Sequence, residues 1–218
     1  MPDTPRPLRR DAEANLARIL DAAAATFNED GVETSIEVVA QRAGVGLGTI
    51  YRRFSTKHAL LDELGRRLLR DVVAIGERHL DDADGTGLAG YFHDIGELLA
   101  THSGLMAHRW TMPDAGPLLR RSRELQGLLL AGAQRHGLAR EELTAEDVAV
   151  ACWSLQGVAD TTRATGVQAW QRHVEVLLAG FAPAGRAFTH APLTASEMDT
   201  VISAASNDPT RPVKKDRP

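Results

Sequence analysis

Only one cysteine, Cys152, stands among the 218 residues. That excludes an intramolecular disulfide framework and a cysteine-based zinc site. Aromatic residues make up 5% of the chain, and runs of β-branched residues are few. Alanine and leucine are abundant instead, which favours helices over a β-sandwich or barrel. No apolar run reaches the roughly 18 residues that a membrane helix needs. The opening MPDTPRPLRR has no apolar core of a signal peptide, so a cytoplasmic location is expected. The eight histidines form neither H-x-x-x-H nor E-x-x-H, and His93, His102 and His108 lack ligand spacing with carboxylates. Asp81, Asp82 and Asp84 precede Gly85 in what reads as a solvated turn. No glycine-rich phosphate loop or Ser/His/Asp spacing occurs. Neither a metal, a cofactor nor a catalytic residue is expected. What remains is a globular composition, 43% hydrophobic and 25% charged.

The net charge of −4 argues by itself against a polyanionic partner, but the charge is unevenly placed. Residues 1–70 carry 11 Lys+Arg and 10 Asp+Glu, whereas residues 71–218 carry 14 and 19. Between residues 40 and 60 stand Arg42, Arg52, Arg53 and Lys57 with no anion. A locally basic segment on an acidic chain fits a small nucleic-acid face on a body built for something else, or a solvated helix face.

Periodicity predicts an all-α chain. Residues 1–10 read as a mobile arm. From Asp11 to Glu29, Leu16, Ile19, Leu20, Ala23 and Phe27 form one helical stripe, ended by Gly31. Thr34 and Glu37 read as a capping box for the next helix, with Ile36, Val39, Ala40 and Ala43 inward. The turn Ala43-Gly44-Val45-Gly46 leads to a short helix through Arg53, anchored by Ile50 and Phe54. Two short helices joined by a glycine-containing turn and braced by a longer one make a helix-turn-helix unit. A long helix follows from Lys57 to about Leu80. Further helical runs are expected near 88–102, 104–111, 117–136, 145–165 and 167–181, the fourth of these with a Thr144–Asp147 capping box. The tail from 183 holds one short helix after Thr194, with Met198, Val201, Ile202 and Ala205 on one face, and 206–218 read as disordered. The domains expected are 11–56 for the helix-turn-helix, 57–182 for a helical body, and 183–218 for the tail.

The segment TSIEVVAQRAGVGLGTIYRRFSTKHALL resembles the amino-terminal domain of the tetracycline-repressor (TetR) family of transcriptional regulators, through its AGV turn, T-I-Y-x-x-F core and following S-x-K-x-A-L-L. The resemblance covers residues 9–64, about a quarter of the chain. It implies a three-helix DNA-binding domain followed by a helical-bundle body that binds ligand and dimerises. A recognition helix meets base edges with its first turn. Thr49 there can bond a base edge or a phosphate, and Leu47 can meet a thymine methyl. Gly46 and Gly48 let the backbone approach closely. By resemblance, Tyr51, Arg53 and Lys57 contact phosphate, the last at a helix start. Thr34 and Ser35 open another helix, where they cap it with or without a phosphate contact. Many relatives carry a polar residue in place of Leu47 and a histidine in place of Arg53, so base-specific hydrogen bonding is weakened at the first position and phosphate contact preserved at the second. Arg42 and Arg52 read as solvated face, and Arg6, Arg9 and Arg10 as a source of added attraction to DNA.

In the body, the resemblance implies a four-helix dimer seam that includes Val150, Trp153, Gly157, Trp170, Val174, Leu177 and Phe181. Phe92, Met106, Trp110, Met112 and Trp153, with Gln156 and Asp160 one turn apart, are candidates for a ligand pocket, since adaptable apolar side chains with a few polar groups suit one. The same residues suit a plain core. Cys152 reads as a buried small residue. The function expected is a ligand-responsive repressor that binds a palindromic double-stranded operator as a homodimer and answers to a small, largely apolar effector. The alternatives are a helical-bundle enzyme, for which no titratable constellation is visible, and a helix-turn-helix regulator without a small ligand.

Overall fold

The computed structural model describes residues 6–106, 115–162, 165–184 and 186–207. Among the described residues there are nine α-helices and no strand. In chain order they are α1 (Arg6–Asp30), α2 (Ile36–Ala43), α3 (Leu47–Arg53), α4 (Lys57–His79), α5 (Gly87–Met106), α6 (Gly116–Arg135), α7 (Ala145–Thr162), α8 (Ala169–Phe181) and α9 (Ala195–Asn207). The all-α expectation holds.

The first helix begins at Arg6, earlier than the apolar stripe announces. Residues 6–10 therefore do not belong to an arm. Pro7 sits in the first turn, where a missing N–H costs nothing, and the charged residues after it are good helix formers that carry no periodicity. The second helix corrects a cap. Ser35, at φ −73° and ψ 157°, is its N-cap, while the Thr34 hydroxyl donates to the Asp30 carbonyl at 3.1 Å and closes α1 instead. The runs expected at 88–102 and near 104 are one helix, α5, kinked at His102. The remainder of the 104–111 run lies outside the described residues. The expected Thr144–Asp147 capping box forms. Thr144 Oγ1 accepts from the Asp147 amide at 3.3 Å while Asp147 Oδ2 accepts from the Thr144 amide at 2.9 Å. Thr194 and Glu197 repeat the arrangement at 3.2 and 2.8 Å.

One continuous core runs from the head into the body. Phe27, Val39, Ile50 and Leu60 hold α1 to α4 together, and Phe92, Val148, Leu155 and Val174 continue the same cluster through α5, α7 and α8. α5 packs against α1, α4, α6, α7 and α8 and is the central helix. Its close approach to α8 needs Gly96, because a Cβ there would lie 2.3 Å from the Trp170 ring. The tail is tied down by Arg140, whose guanidinium donates to the Arg186 carbonyl at 2.8 Å and lies 4.1 Å from the centre of the Phe188 ring.

Candidate functional site: a DNA-reading face and a cavity in the body

The reading face is built on α2 and α3. Gly44 ends α2 in the left-handed region, at φ 64° and ψ 35°, and its N–H reaches back to the Ala40 and Gln41 carbonyls. A residue with a side chain resists that conformation, so the glycine sets the angle at which α3 departs. Ile50, fully buried, and Phe54 pin α3 to the head. The opposite side faces outward: Gly48, Tyr51, Arg52 and Arg53 are exposed, and Leu47 and Thr49 partly so. A Cβ at Gly46 or Gly48 would meet nothing within 4 Å, which leaves the backbone open to close approach.

Charge on this face is sorted by pairing. Both arms of Arg42 grip Glu29 at 2.6 Å, and that hydrogen bonding holds the Glu29 carboxyl below its usual range. Arg42 thus ties α2 to α1, and its charge is offset. Among the described residues Arg52, Arg53 and Lys57 have no ion pair. Lys57 opens α4 and lies 5.9 Å from the centre of the Phe27 ring, which holds it near the face. Thr56 caps α4 by accepting from the Ala59 amide at 3.0 Å. Ser35 is exposed at the start of α2, and its hydroxyl, then the Glu37 amide, holds the Glu37 carboxyl below its usual range. The expected contact residues Thr34, Ser35, Leu47, Gly48, Thr49, Tyr51, Arg53 and Lys57 therefore lie just before α2, on α3 and at the start of α4, all exposed or partly so.

In the body a cavity of about 70 Å³ lies between α4, α5, α6, α7 and α9. Trp153 and Gln156 line it, as expected. Phe92 does not. It is fully buried in the core, edge-on to Phe181 with ring centres 5.6 Å apart, because its turn of α5 faces α8. Asp160 is exposed one turn beyond the lining. The Met106 side chain, Trp110 and Met112 lie outside the described residues. The sequence reading missed Tyr91, Ser122, Gln126 and Met198, all in the lining. A signal existed for two of them: Ser122 and Gln126 are polar residues at i and i+4 on the apolar stripe of α6, both buried. Cys152 is half-buried and faces this cavity rather than sitting in solid core. Tyr91 is completely buried, and desolvation drives its phenol well above the ordinary value despite the hydrogen bond from Gln126.

The expected dimer seam is also corrected in part. Trp170, Val174 and Phe181 are buried within the protomer, since α8 turns that face toward α5. Val150, Gly157 and half-buried Leu177 remain available on the outside, beside Val176 at 55% exposure.

A helix-turn-helix head with an accessible basic face, carried on a helical body with an apolar cavity, defines a DNA-binding transcriptional regulator and not an enzyme. The bacterial regulatory proteins of the tetR family match residues 19–64. A TetR transcription regulatory protein from Mycobacterium vanbaalenii is 30% identical and superposes with a TM-score of 0.59, over 81% of this chain and 99% of its own. The chain belongs to the tetR family. A TetR regulator from Streptomyces coelicolor shares the fold at 24% identity and TM-score 0.57, over 78% and 99% of the two chains. An HTH-type transcriptional regulator of Staphylococcus aureus is 43% identical over 54 residues, 24% of this chain and 29% of its own. The match thus spans under a third of that curated relative's length. No helix among the described residues is long and apolar enough to cross a membrane.

Proposed function

We propose that the chain is a repressor that binds a palindromic operator as a homodimer in the cytoplasm and is released by a small, largely apolar effector in the cavity of the body. The observation that carries this reading is α4. It is one unbroken helix of 23 residues. Its first residue, Lys57, stands beside the reading face, and its Leu69 and Val72 form part of the cavity wall. At about 1.5 Å per residue the two functions are roughly 20 Å apart on one rigid rod. An effector that favours one tilt of this rod changes the spacing of two heads, and couplings of about 1–3 kcal/mol are typical.

The head reads the operator with Thr34 and Ser35 before α2, with α3 and with the first turn of α4; Arg53 and Lys57 position the protein on phosphate, and Leu47 and Thr49 discriminate bases. The dimer forms through the outer faces of α7 and α8, which offer Val150, Gly157, Val176 and Leu177. Two heads are needed because one buries too little surface for a specific site. The competing reading, a regulator without an effector, is disfavoured by the cavity itself. The test is selection of bound duplexes from random DNA, followed by a screen of apolar compounds for release of the selected duplex. An inverted repeat and at least one releasing compound are expected. Enrichment of unrelated single half-sites, or no release by any compound, overturns the corresponding part.

A further inference from the structure

Gln126, a side chain of the cavity wall, carries a buried hydrogen-bonding atom that has no partner among the described residues. Gln126 is 5% exposed, and its side-chain nitrogen has two hydrogens and two acceptors. Nε2 donates to the Tyr91 hydroxyl at 3.0 Å and toward the Cys152 sulfur at 3.8 Å. The amide is thereby oriented, and its other end, Oε1, is buried with no partner among the described residues. A buried acceptor without a donor is an uncommon and costly arrangement in a folded protein. The side chain carrying it belongs to the wall of a cavity whose other lining is mainly apolar: Leu69, Ile95, Leu99, Ala149 and Met198.

From this we infer that the cavity takes a neutral apolar molecule bearing one hydroxyl group, and that the hydroxyl proton is donated to Gln126 Oε1. The inference rests on the reading of the cavity as the effector site and adds its chemical class. A carboxylate is excluded on two grounds. It has no proton to give Oε1, and Arg123, the cation in the lining among the described residues, is engaged with Asp199 of α9 at 2.8 Å. A ketone or ether of the same shape also fails, because it offers only acceptors. The size is limited as well. The cavity is about half the volume of an engineered apolar cavity that takes up benzene. Even a short branched alcohol is about as large as benzene, so it enters only as Met198 and Ile202, which α9 contributes, give way.

The pair 2-butanol and 2-butanone tests this, since they share a carbon skeleton and differ in the donor. Both are titrated into the full chain while the Gln126 side-chain amide signals are followed by NMR. The alcohol is expected to bind roughly tenfold more tightly than the ketone, the difference one hydrogen bond to an otherwise bare acceptor makes. Gln126→Met, similar in volume, is expected to bind the two equally. If the wild-type chain binds both equally, the donor assignment is overturned and the cavity reading stands. If neither shifts the Gln126 signals, the cavity reading falls with it. Should Gln126→Met not fold, the alcohol-to-ketone ratio in the wild-type chain decides alone.

Discussion

At the scale of single residues, the reading face separates charges that hold the head together from charges left for DNA. Arg42 belongs to the first kind through Glu29, while Arg53 and Lys57, which have no ion pair among the described residues, are the ones proposed to contact DNA. Lys57→Ala is therefore expected to weaken binding to all duplexes alike and to lower the log–log salt slope by about 1, measured by fluorescence anisotropy across salt concentrations. Thr49→Ala is expected to act differently. It changes preference among bases at one operator position, at a cost of about 1–3 kcal/mol for the preferred base. An unchanged base preference in a repeated duplex selection would remove Thr49 from the reading face. Arg42→Ala should behave as a stability change, because its partner is within the head.

At the scale of elements, the turn between α2 and α3 depends on a backbone conformation. Gly44→Ala has open space for its methyl, yet at φ 64° it is expected to cost about 1–2 kcal/mol in chemical denaturation. The joint between α4 and α5 depends on charge. The Asp94 carboxylate takes hydrogen bonds from Arg78 and from His79, the latter at 2.8 Å. Partial burial pushes its pKa up, but the bonds from His79 and Arg78 prevail and hold it below the usual value. A carboxylate depressed in the folded state stabilises it above the ordinary aspartate range near 4, and that contribution is lost as pH falls through the folded value. Asp94→Asn is thus expected to reduce the loss of thermal stability between pH 6 and pH 3, followed by circular dichroism. An unchanged acid dependence would mean that other carboxylates govern this limb.

At the scale of the whole molecule, the proposed operator binding needs a pair of chains with their heads held at fixed spacing. Light scattering is expected to give twice the 23.5 kDa of one chain. The outer face of α8 offers the place to test the seam, because Val176 is 55% exposed and carries none of the core. Val176→Glu is expected to leave helix content intact, yield the single-chain mass and lose specific operator binding together. A variant that stays dimeric would move the seam elsewhere. The same substitution at Val174 would not serve, since that side chain is fully buried and its loss would unfold the body.

The local sequence alone determined most of the helices and their glycine and threonine boundaries, and it picked out the segment proposed as the reading face. Each of these depends on neighbours a few residues away: the AGV turn on Gly44, the caps on Thr144 and Thr194, the α1 stripe on Ile19, Ala23 and Phe27. Which side of a helix faces which partner depends on residues far along the chain, and only the tertiary structure decided it. Trp170 and Val174 have the same apolar periodicity whether they face a second copy or α5, and Gly96 on another helix made the choice by admitting the indole. Phe92 went to the core for the same kind of reason. The cavity is the clearest case. Its wall joins α4, α5, α6 and α7 to Met198 in the tail, and the bare oxygen of Gln126 has meaning only because Tyr91 and Cys152, from two other helices, occupy the other end of the same amide.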